Sequence, residues 1–186
     1  KSCGRPAIDT QVEIRDDDDN PLPIGEVGQI CAKGPQIMKG YWNKDEESQK
    51  ALKGGWMHTG DAGRMDEEGF VFIQDRIKDM IVSGGENIYS TEVEAALFAH
   101  PDVIDAAVIG VPDEKYGEVV KACIVKKEGS KVNEEDLINF CKDRIASYKK
   151  PQSIDFIDEV PRNASGKVLK KVLREPYWKG QDRQVS

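Results

Sequence analysis

The sequence has no apolar run that approaches the roughly 20 residues of a membrane-spanning helix, and no basic and apolar leader opens it. It also has only four cysteines in 186 residues, and none of them forms a Cys-x-x-Cys pair. This spacing is not that of a disulfide framework or a zinc site, so we expect reduced thiols and no bound metal. These absences predict a cytoplasmic protein with no transmembrane segment.

A surplus of positive charge is missing as well. The 27 lysines and arginines are outnumbered by 34 aspartates and glutamates, which gives a formal net charge of −7. Binding to the phosphates of nucleic acids requires clustered basic residues. The sequence therefore predicts no nucleic-acid partner, with a local basic patch left open.

The most acidic segment, residues 16–20, has oxygen-bearing side chains at alternate positions, as a calcium-binding loop does. Pro21 stands where that loop needs its glycine, and Val27 stands where it needs a bidentate glutamate. The segment is therefore predicted to be a solvated hairpin turn.

The hydrophobic pattern changes near residue 76. Before it, short apolar runs such as 27–32 and 70–73 are separated by turn residues, which is typical of β-strands. After it, strand-like runs alternate with helical spacing, but without the long crossovers of a doubly wound sheet. The sequence predicts an α+β protein with a β-rich domain at residues 1–75 and a small α+β domain at residues 76–186, and no Pro/Gly/Ser linker joins them.

Several elements of the second domain are marked by their sequence. Thr91-x-x-Glu94 has the pattern of a capping box, and Asn133 precedes an acidic first turn that suits a helix dipole. The apolar runs 103–111 and 119–125 are predicted to pair as antiparallel strands, and 154–157 is predicted as a last strand.

Four further segments carry most of the functional information. They are Gly54-Gly-Trp-Met-His-Thr-Gly-Asp61, Asp75-Arg-Ile-Lys-Asp-Met-Ile-Val-Ser-Gly-Gly-Glu-Asn-Ile-Tyr-Ser-Thr-Glu-Val-Glu94, Gly110-Val-Pro-Asp-Glu-Lys-Tyr-Gly117 and Pro161-Arg-Asn-Ala-Ser-Gly-Lys167. In this order and spacing they resemble the adenylate-forming superfamily, which includes acyl-CoA synthetases, peptide-synthetase adenylation domains and firefly-type luciferases. The resemblance extends over essentially the whole chain, and Ser83-Gly-Gly-Glu-Asn87 is most similar to the acyl- and aryl-CoA ligases.

The resemblance implies that the first domain is the C-terminal β-subdomain of a large adenylation domain and the second is its mobile lid. Without the resemblance, Asp61 would be interpreted as an ordinary turn carboxylate, and Arg76 as a surface cation paired with Asp75 or Asp79. In the family, the matching aspartate binds the ribose of ATP, and one carboxylate can accept both ribose hydroxyls. Because Arg76 has fixed donors that suit the other side of that ribose, both residues are expected to bind nucleotide.

The same resemblance implies a pivot and a CoA site. Lys78 matches the position about which the lid rotates, and its alternative is a plain exposed lysine. Ser83-Gly84-Gly85 has the composition of a hairpin turn, and the family places the passage for the pantetheine arm of CoA there. The remaining residues expected to contact the adenine and phosphates of CoA are Tyr116, Tyr148 and Lys150.

Lys167 follows Ser165-Gly166 in a predicted loop. This is not a Walker A motif, because Val168 replaces its Ser/Thr and Pro161 replaces its first glycine. The resemblance implies that Lys167 is catalytic and contacts the substrate carboxylate and the α-phosphate during adenylation. Otherwise it is a solvated lysine like its neighbours. His58 and His100 are given no catalytic role.

Two family segments are missing from the sequence: the Ser/Thr/Gly-rich phosphate loop, and the Tyr-x-x-Thr-Glu segment with the magnesium-associated glutamate. Since the sequence also opens without methionine, we expect the C-terminal part of a longer ATP-dependent acyl-CoA synthetase. That enzyme would use a small carboxylic acid, ATP and CoA, with magnesium held mainly upstream. The isolated chain is expected to be inactive and to self-associate through its β-subdomain. Two alternatives stay open: an acceptor other than CoA, or a silent nucleotide- or partner-binding module.

Overall fold

A computed structural model describes residues 1–180, and the chain divides into two compact units, Lys1–Ile77 and Lys78–Ser186. The division lies two residues after the predicted boundary, so Arg76 belongs to the first unit. Helices and antiparallel strands are mixed along the chain, which confirms the α+β class. No helix in the described part is long and apolar enough to cross a membrane.

The first unit is built on one antiparallel sheet with the strand order β1-β2-β3-β4. Its core contains Ile14, Ile30 and Val71, with Val12, Leu22 and Met65 packed against them. Its elements are β1 Gln11–Arg15, β2 Gly28–Lys33, α1 Asp45–Ala51, a 3-10 turn Lys53–Gly55, β3 Met57–Met65 and β4 Val71–Arg76.

The acidic segment between β1 and β2 is a turn, as predicted. Asp16 accepts the backbone N–H of Asn20 at 2.8 Å, and Asp19 has a left-handed φ of 70°. Arg15 pairs with Asp19 at 3.1 Å and lies 4.4 Å from the centroid of the Trp56 ring. The carboxylates of Asp16 and Asp19 therefore bind protein groups in and beside the turn.

The second unit is built on a five-stranded sheet with the order β6-β5-β8-β7, and β9 lies parallel to β8. The strands β5 and β9 share one edge of β8, because β7 occupies the whole of the other edge. After the 3-10 helix Ile77–Asp79, the elements are β5 Ile81–Ser83, β6 Glu86–Ile88, α2 Ser90–Phe98, β7 Val103–Asp113, β8 Gly117–Lys126, α3 Glu134–Lys142, β9 Ser153–Phe156 and α4 Lys170–Arg174.

Both faces of this sheet are covered, which explains the nearly continuous apolar runs of β7 and β8. On one face, Val120, Ala122 and Ile124 pack with residues of α2 and α3. On the other face, Val119 and Cys123 pack with Leu173 and Tyr177 from the C-terminal segment. The predicted antiparallel pairing of the two runs is confirmed.

The two predicted helix starts differ in outcome. Asn133 forms a capping box with Asp136 at the start of α3, as the sequence indicates. The capping box at Thr91 is wrong: α2 begins at Ser90, and the side chain of Glu94 instead accepts the backbone N–H of Val108 at 2.9 Å. Burial of the apolar face of α2 sets where the helix begins, and Glu94 is then directed toward β7.

Candidate functional site

Asp61 lies on a bulge of β3 and not in the turn that the Thr-Gly-Asp pattern indicates. The register pairs Gln29 with Ala62 and Cys31 with His58, so three residues of β3 face Ile30 alone. Gly60 makes this possible, because its φ of 74° is open to glycine at little steric cost. The bulge is closed by hydrogen bonds of the Thr59 side chain, which donates to the carbonyl of Ile30 at 2.8 Å and accepts from the N–H of Asp61 at 3.1 Å.

The bulge places Asp61 directly opposite Arg76 on β4. The Nε of Arg76 lies 3.1 Å from Oδ1 of Asp61, and its Nη1 donates to the carbonyl of Thr59 at 3.3 Å. The side chain of Asp61 is 28% exposed and that of Arg76 is 42% exposed. Both predicted nucleotide residues therefore form one pair that solvent can reach.

Ser83, Gly84 and Gly85 lie at the tip of the hairpin that joins β5 to β6. Ser83 pairs with Glu86, and the two glycines between them have φ values of 59° and 88°. Positive φ at both central residues is the pattern of a type I′ turn, so the hairpin interpretation is confirmed. A Cβ at Gly85 would meet no atom within 4 Å, because this tip is open.

Tyr116 is held against the same hairpin. Its carbonyl accepts the N–H of Gly84 at 2.9 Å, and Ser83 pairs with Gly117. A Cβ on Gly84 would lie 3.1 Å from Cδ1 of the Tyr116 ring. Glycine thus permits the ring to approach the backbone, and four of the predicted CoA residues come together.

Tyr148 and Lys150 follow α3, and Tyr148 is half-exposed. Between them, Lys149 is bound to both carboxylate oxygens of Glu92, at 2.7 and 2.8 Å. The hydrogen bonds that Lys149 donates to Glu92 raise the pKa of Lys149, so the ammonium keeps its charge and the carboxylate of Glu92 balances it. Because Glu92 already pairs with Lys149, the neighbouring Lys150 is the better candidate for a contact with a CoA phosphate.

Lys167 is exposed at the end of a small hydrogen-bonded loop. Asn163 organises the loop, since its Oδ1 accepts from the backbone N–H groups of Ser165 and Lys167. Arg162 anchors it to β7 through two contacts with the carboxylate of Asp105, at 2.8 and 3.0 Å. The backbone on each side of Lys167 is thus bound, while the side chain is presented to solvent.

The predicted residues are divided between the units. Asp61 and Arg76 lie in the first unit. The second unit contains the others: Lys78, Ser83, Gly84, Gly85, Tyr116, Tyr148, Lys150 and Lys167. Lys78 is exposed and is the first residue of the second unit. Its carbonyl accepts from Nη1 of Arg174 at 3.1 Å, a contact that no sequence pattern indicates.

A cluster of Asp19, Cys31 and His58 was also not expected from the sequence. The Nδ1 of His58 faces Gln29 Oε1 at 2.8 Å and Cys31 Sγ at 3.5 Å, whereas its buried Nε2 lies 3.6 Å from Asp19. Burial raises the pKa of the Cys31 thiol to about 11. One ligand atom of each residue lies within 4.8 Å of the others, but Asp19 is already paired with Arg15 and Nδ1 of His58 already contacts Gln29, so we assign no metal to this cluster.

Comparisons with known proteins show which family this chain resembles. Residues 92–167 match the family described as AMP-binding enzyme C-terminal domain, and residues 1–42 match AMP-binding enzyme. A long-chain-fatty-acid–CoA ligase of Escherichia coli is 45% identical over 94% of this chain. ScoC of Streptomyces coeruleorubidus, a fatty acid–[acyl-carrier-protein] ligase, is 42% identical over 100% of it.

Solved structures give the same picture. The ATP-bound crystal structure of MatB from Rhodopseudomonas palustris matches with a TM-score of 0.89 and 37% identity over 95% of this chain. The chain spans about a third of each of these proteins: 31% of the E. coli ligase, 36% of ScoC and 35% of MatB. With both family matches and the four motifs in order, the chain belongs to the adenylate-forming superfamily and corresponds to its C-terminal portion.

Proposed function

We propose that this chain is the C-terminal part of an ATP-dependent acyl-CoA synthetase. Residues 1–75 would be the C-terminal β-subdomain of its large domain, and residues 76–186 would be its lid. In the first half-reaction, a carboxylate attacks the α-phosphate of ATP and releases pyrophosphate. In the second, the thiol of CoA displaces AMP and gives the thioester.

The nucleotide assignment is supported by the pair of Asp61 and Arg76. Arg76 holds one oxygen of the carboxylate and so orients it, and the exposed part of the side chain is left to accept ribose hydroxyls. Magnesium would neutralise charge on the phosphates of ATP, and residues outside this chain would mainly hold it.

Lys167 is assigned to the first half-reaction. Its backbone is bound by Asn163 and its side chain is exposed, so the ammonium can approach charge that develops on the α-phosphate. A donor already positioned for such charge lowers the barrier without reorganisation.

The open hairpin tip at Gly84 and Gly85 is the observation that supports CoA as the acceptor. A slender pantetheine arm could pass a turn that has no side chains, beside the ring of Tyr116. The rest of the proposed CoA site is Tyr148, for stacking, and Lys150, for a phosphate.

A second acceptor is a specific alternative. The match to ScoC, whose name states a carrier-protein acceptor, extends over the full chain. AMP release that depends on added CoA, measured with the full-length parent, favours the proposed function. AMP release that requires a carrier protein instead would favour the alternative.

The isolated 186-residue chain is expected to release no pyrophosphate from ATP with any fatty or aryl acid, because the phosphate loop is not in its sequence. Calorimetry with ATP and with CoA would show whether the chain still binds either substrate. Pyrophosphate release by the purified chain would contradict the expectation, and binding without chemistry in the parent would indicate a silent binding module.

Self-association of the isolated chain is also proposed. In the first unit, Ile8 and Trp42 are each 90% exposed, and Ile24 is 63% exposed, which favours burial against another surface. Sedimentation velocity should show a concentration-dependent dimer that Trp42→Ser weakens. Ile104→Ser, at a residue of the second unit that is 61% exposed, is the matched control. A monomer at every concentration would contradict the proposal.

A further inference from the structure

Arg174 connects the last helix of the second unit to the first residues of that unit. Its Nη1 donates to the carbonyl of Lys78 at 3.1 Å and lies 3.0 Å from Oδ1 of Asp79. The side chains of Arg174 and Asp79 are only 12% and 15% exposed, so water screens this pair less than a surface ion pair. The planar guanidinium is suited to hold a carbonyl and a carboxylate together.

Contacts of Lys170 also keep α4 in place. One turn before Arg174, Lys170 donates to the hydroxyl of Ser90 at 2.5 Å and pairs with Glu94 at 2.7 Å. A helix of five residues is not stable alone, so these contacts and the packing of Leu173 hold α4 against the sheet. Arg174 therefore extends from a fixed support.

This support is continuous with the loop that carries Lys167. The N–H of Leu169 donates to the carbonyl of Pro161 at 2.8 Å, and Arg162 anchors the loop to β7. The same short segment, residues 161–174, thus carries Lys167 near its middle and contacts the Lys78–Asp79 peptide through Arg174 at its end. Its position determines the placement of both.

We propose that Arg174 is a positioning residue that fixes the Lys78–Asp79 peptide to the lid, so that the rotation of the lid is confined to the backbone torsions before that peptide. The inference rests on the proposed function, in which Lys78 is the pivot. A rigid peptide beyond the pivot leaves few torsions to absorb the rotation, and the orientation of Lys167 follows that of the pivot. Asp79 has the matching role of orienting Arg174.

The anchoring is tested on the 186-residue chain by hydrogen exchange. In Arg174→Met, which keeps the apolar stem, the amides of residues 79–81 should exchange about tenfold faster, while those of β7 and β8 keep their protection. Arg174→Lys, which retains a charge for Asp79, should give a smaller increase. Arg144→Met is the control, because Arg144 contacts the carbonyl of Phe140 at the end of α3.

Two outcomes of this experiment would overturn the anchoring. One is unchanged exchange at residues 79–81 in Arg174→Met. The other is equal acceleration of these amides and of the strands, which would make Arg174 a contributor to global stability only.

The role in lid rotation is tested in the full-length parent with Lys78→Pro. Proline fixes φ near −65°, which suits the 3-10 conformation of this segment but prevents rotation about that bond. Thioester formation from supplied acyl-adenylate should fall about a hundredfold in the otherwise unchanged enzyme. In the Arg174→Met background, Lys78→Pro should reduce the rate of thioester formation by a factor at least about tenfold smaller. The reason is that the Lys78–Asp79 peptide, once released from Arg174, allows rotation about other backbone bonds.

The result of this cycle separates the two proposals. Losses that simply multiply would overturn the role of Arg174 and leave the pivot at Lys78 intact. No loss from Lys78→Pro in either background would overturn the pivot itself, and with it the role of Arg174 in rotation, whatever hydrogen exchange shows about the anchoring.

Discussion

Replacing Lys167 by alanine in the full-length parent is expected to lower the rate of acyl-adenylate formation by about 10² to 10³. The proposed ammonium interacts with charge that is present in the transition state, and removing a donor of this kind usually costs that much. Thioester formation from supplied acyl-adenylate should be affected much less, since the proposed rotation of the lid has by then moved Lys167 away. Single-turnover release of pyrophosphate and of AMP measures the two steps.

Lys171→Ala is the matched control for this change. Lys171 is also exposed and lies four residues later, on α4. It should leave both half-reactions within about twofold of the unchanged enzyme, as expected for a solvated surface charge. Equal losses in Lys167→Ala and Lys171→Ala would mean that net charge, and not a positioned ammonium, supports the reaction.

Replacing Gly85 by leucine is expected to have the opposite effect. The added side chain would extend from an open hairpin tip into the proposed passage of the pantetheine arm, so thioester formation should fall by at least about 10². Adenylation should be nearly retained, because Lys167 and the pair of Asp61 and Arg76 are not altered. The same single-turnover measurements decide this.

Backbone strain requires its own control, because leucine at a φ of 88° costs roughly 1–2 kcal/mol wherever it stands. Gly129 provides it: its φ is 76°, a Cβ there would also meet nothing within 4 Å, and no function is assigned to it. Gly129→Leu should lower thermal stability by a similar amount and leave both half-reactions unchanged. If it reduced thioester formation as strongly as Gly85→Leu does, strain would explain the effect.

The two variants are most informative together. Opposite defects in the two half-reactions would support two orientations of the lid, each presenting a different part of it. Parallel losses in both steps, with lowered thermal stability, would mean that Lys167 and Gly85 are structural and would contradict the mechanism.

Much of the fold could be predicted because it depends on local patterns. The runs 103–111 and 119–125 are largely apolar on both faces and are separated by a turn, so the sequence predicts a paired ribbon that other elements cover, and β7 and β8 form it. Asn133 is followed by Asp136 at the spacing of a capping box, and that box forms within four residues. The tandem glycines 84 and 85 have the composition of a tight hairpin turn, and the hairpin forms between β5 and β6.

Local patterns were insufficient where a contact from a distant residue competes. Thr91 and Glu94 have the correct spacing for a capping box, but β7 and Lys170 bind Glu94 instead. The Thr-Gly-Asp segment is typical of a turn, yet pairing with β2 on one side and β4 on the other makes it a bulged strand. In both cases the free energy gained by tertiary hydrogen bonds and burial exceeds the local preference.

The sequence by itself determined the family, the α+β class and the identity of the candidate residues, because collinear motifs and hydrophobic periodicity are properties of the chain alone. Only the tertiary structure decided which of these residues meet. By sequence, Asp75 and Asp79 are the aspartates nearest to Arg76, but the strand register makes Asp61 the partner of its side chain. The contacts of Arg174 with Lys78 and Asp79 join residues about 96 positions apart, a separation at which only the packed fold specifies a partner.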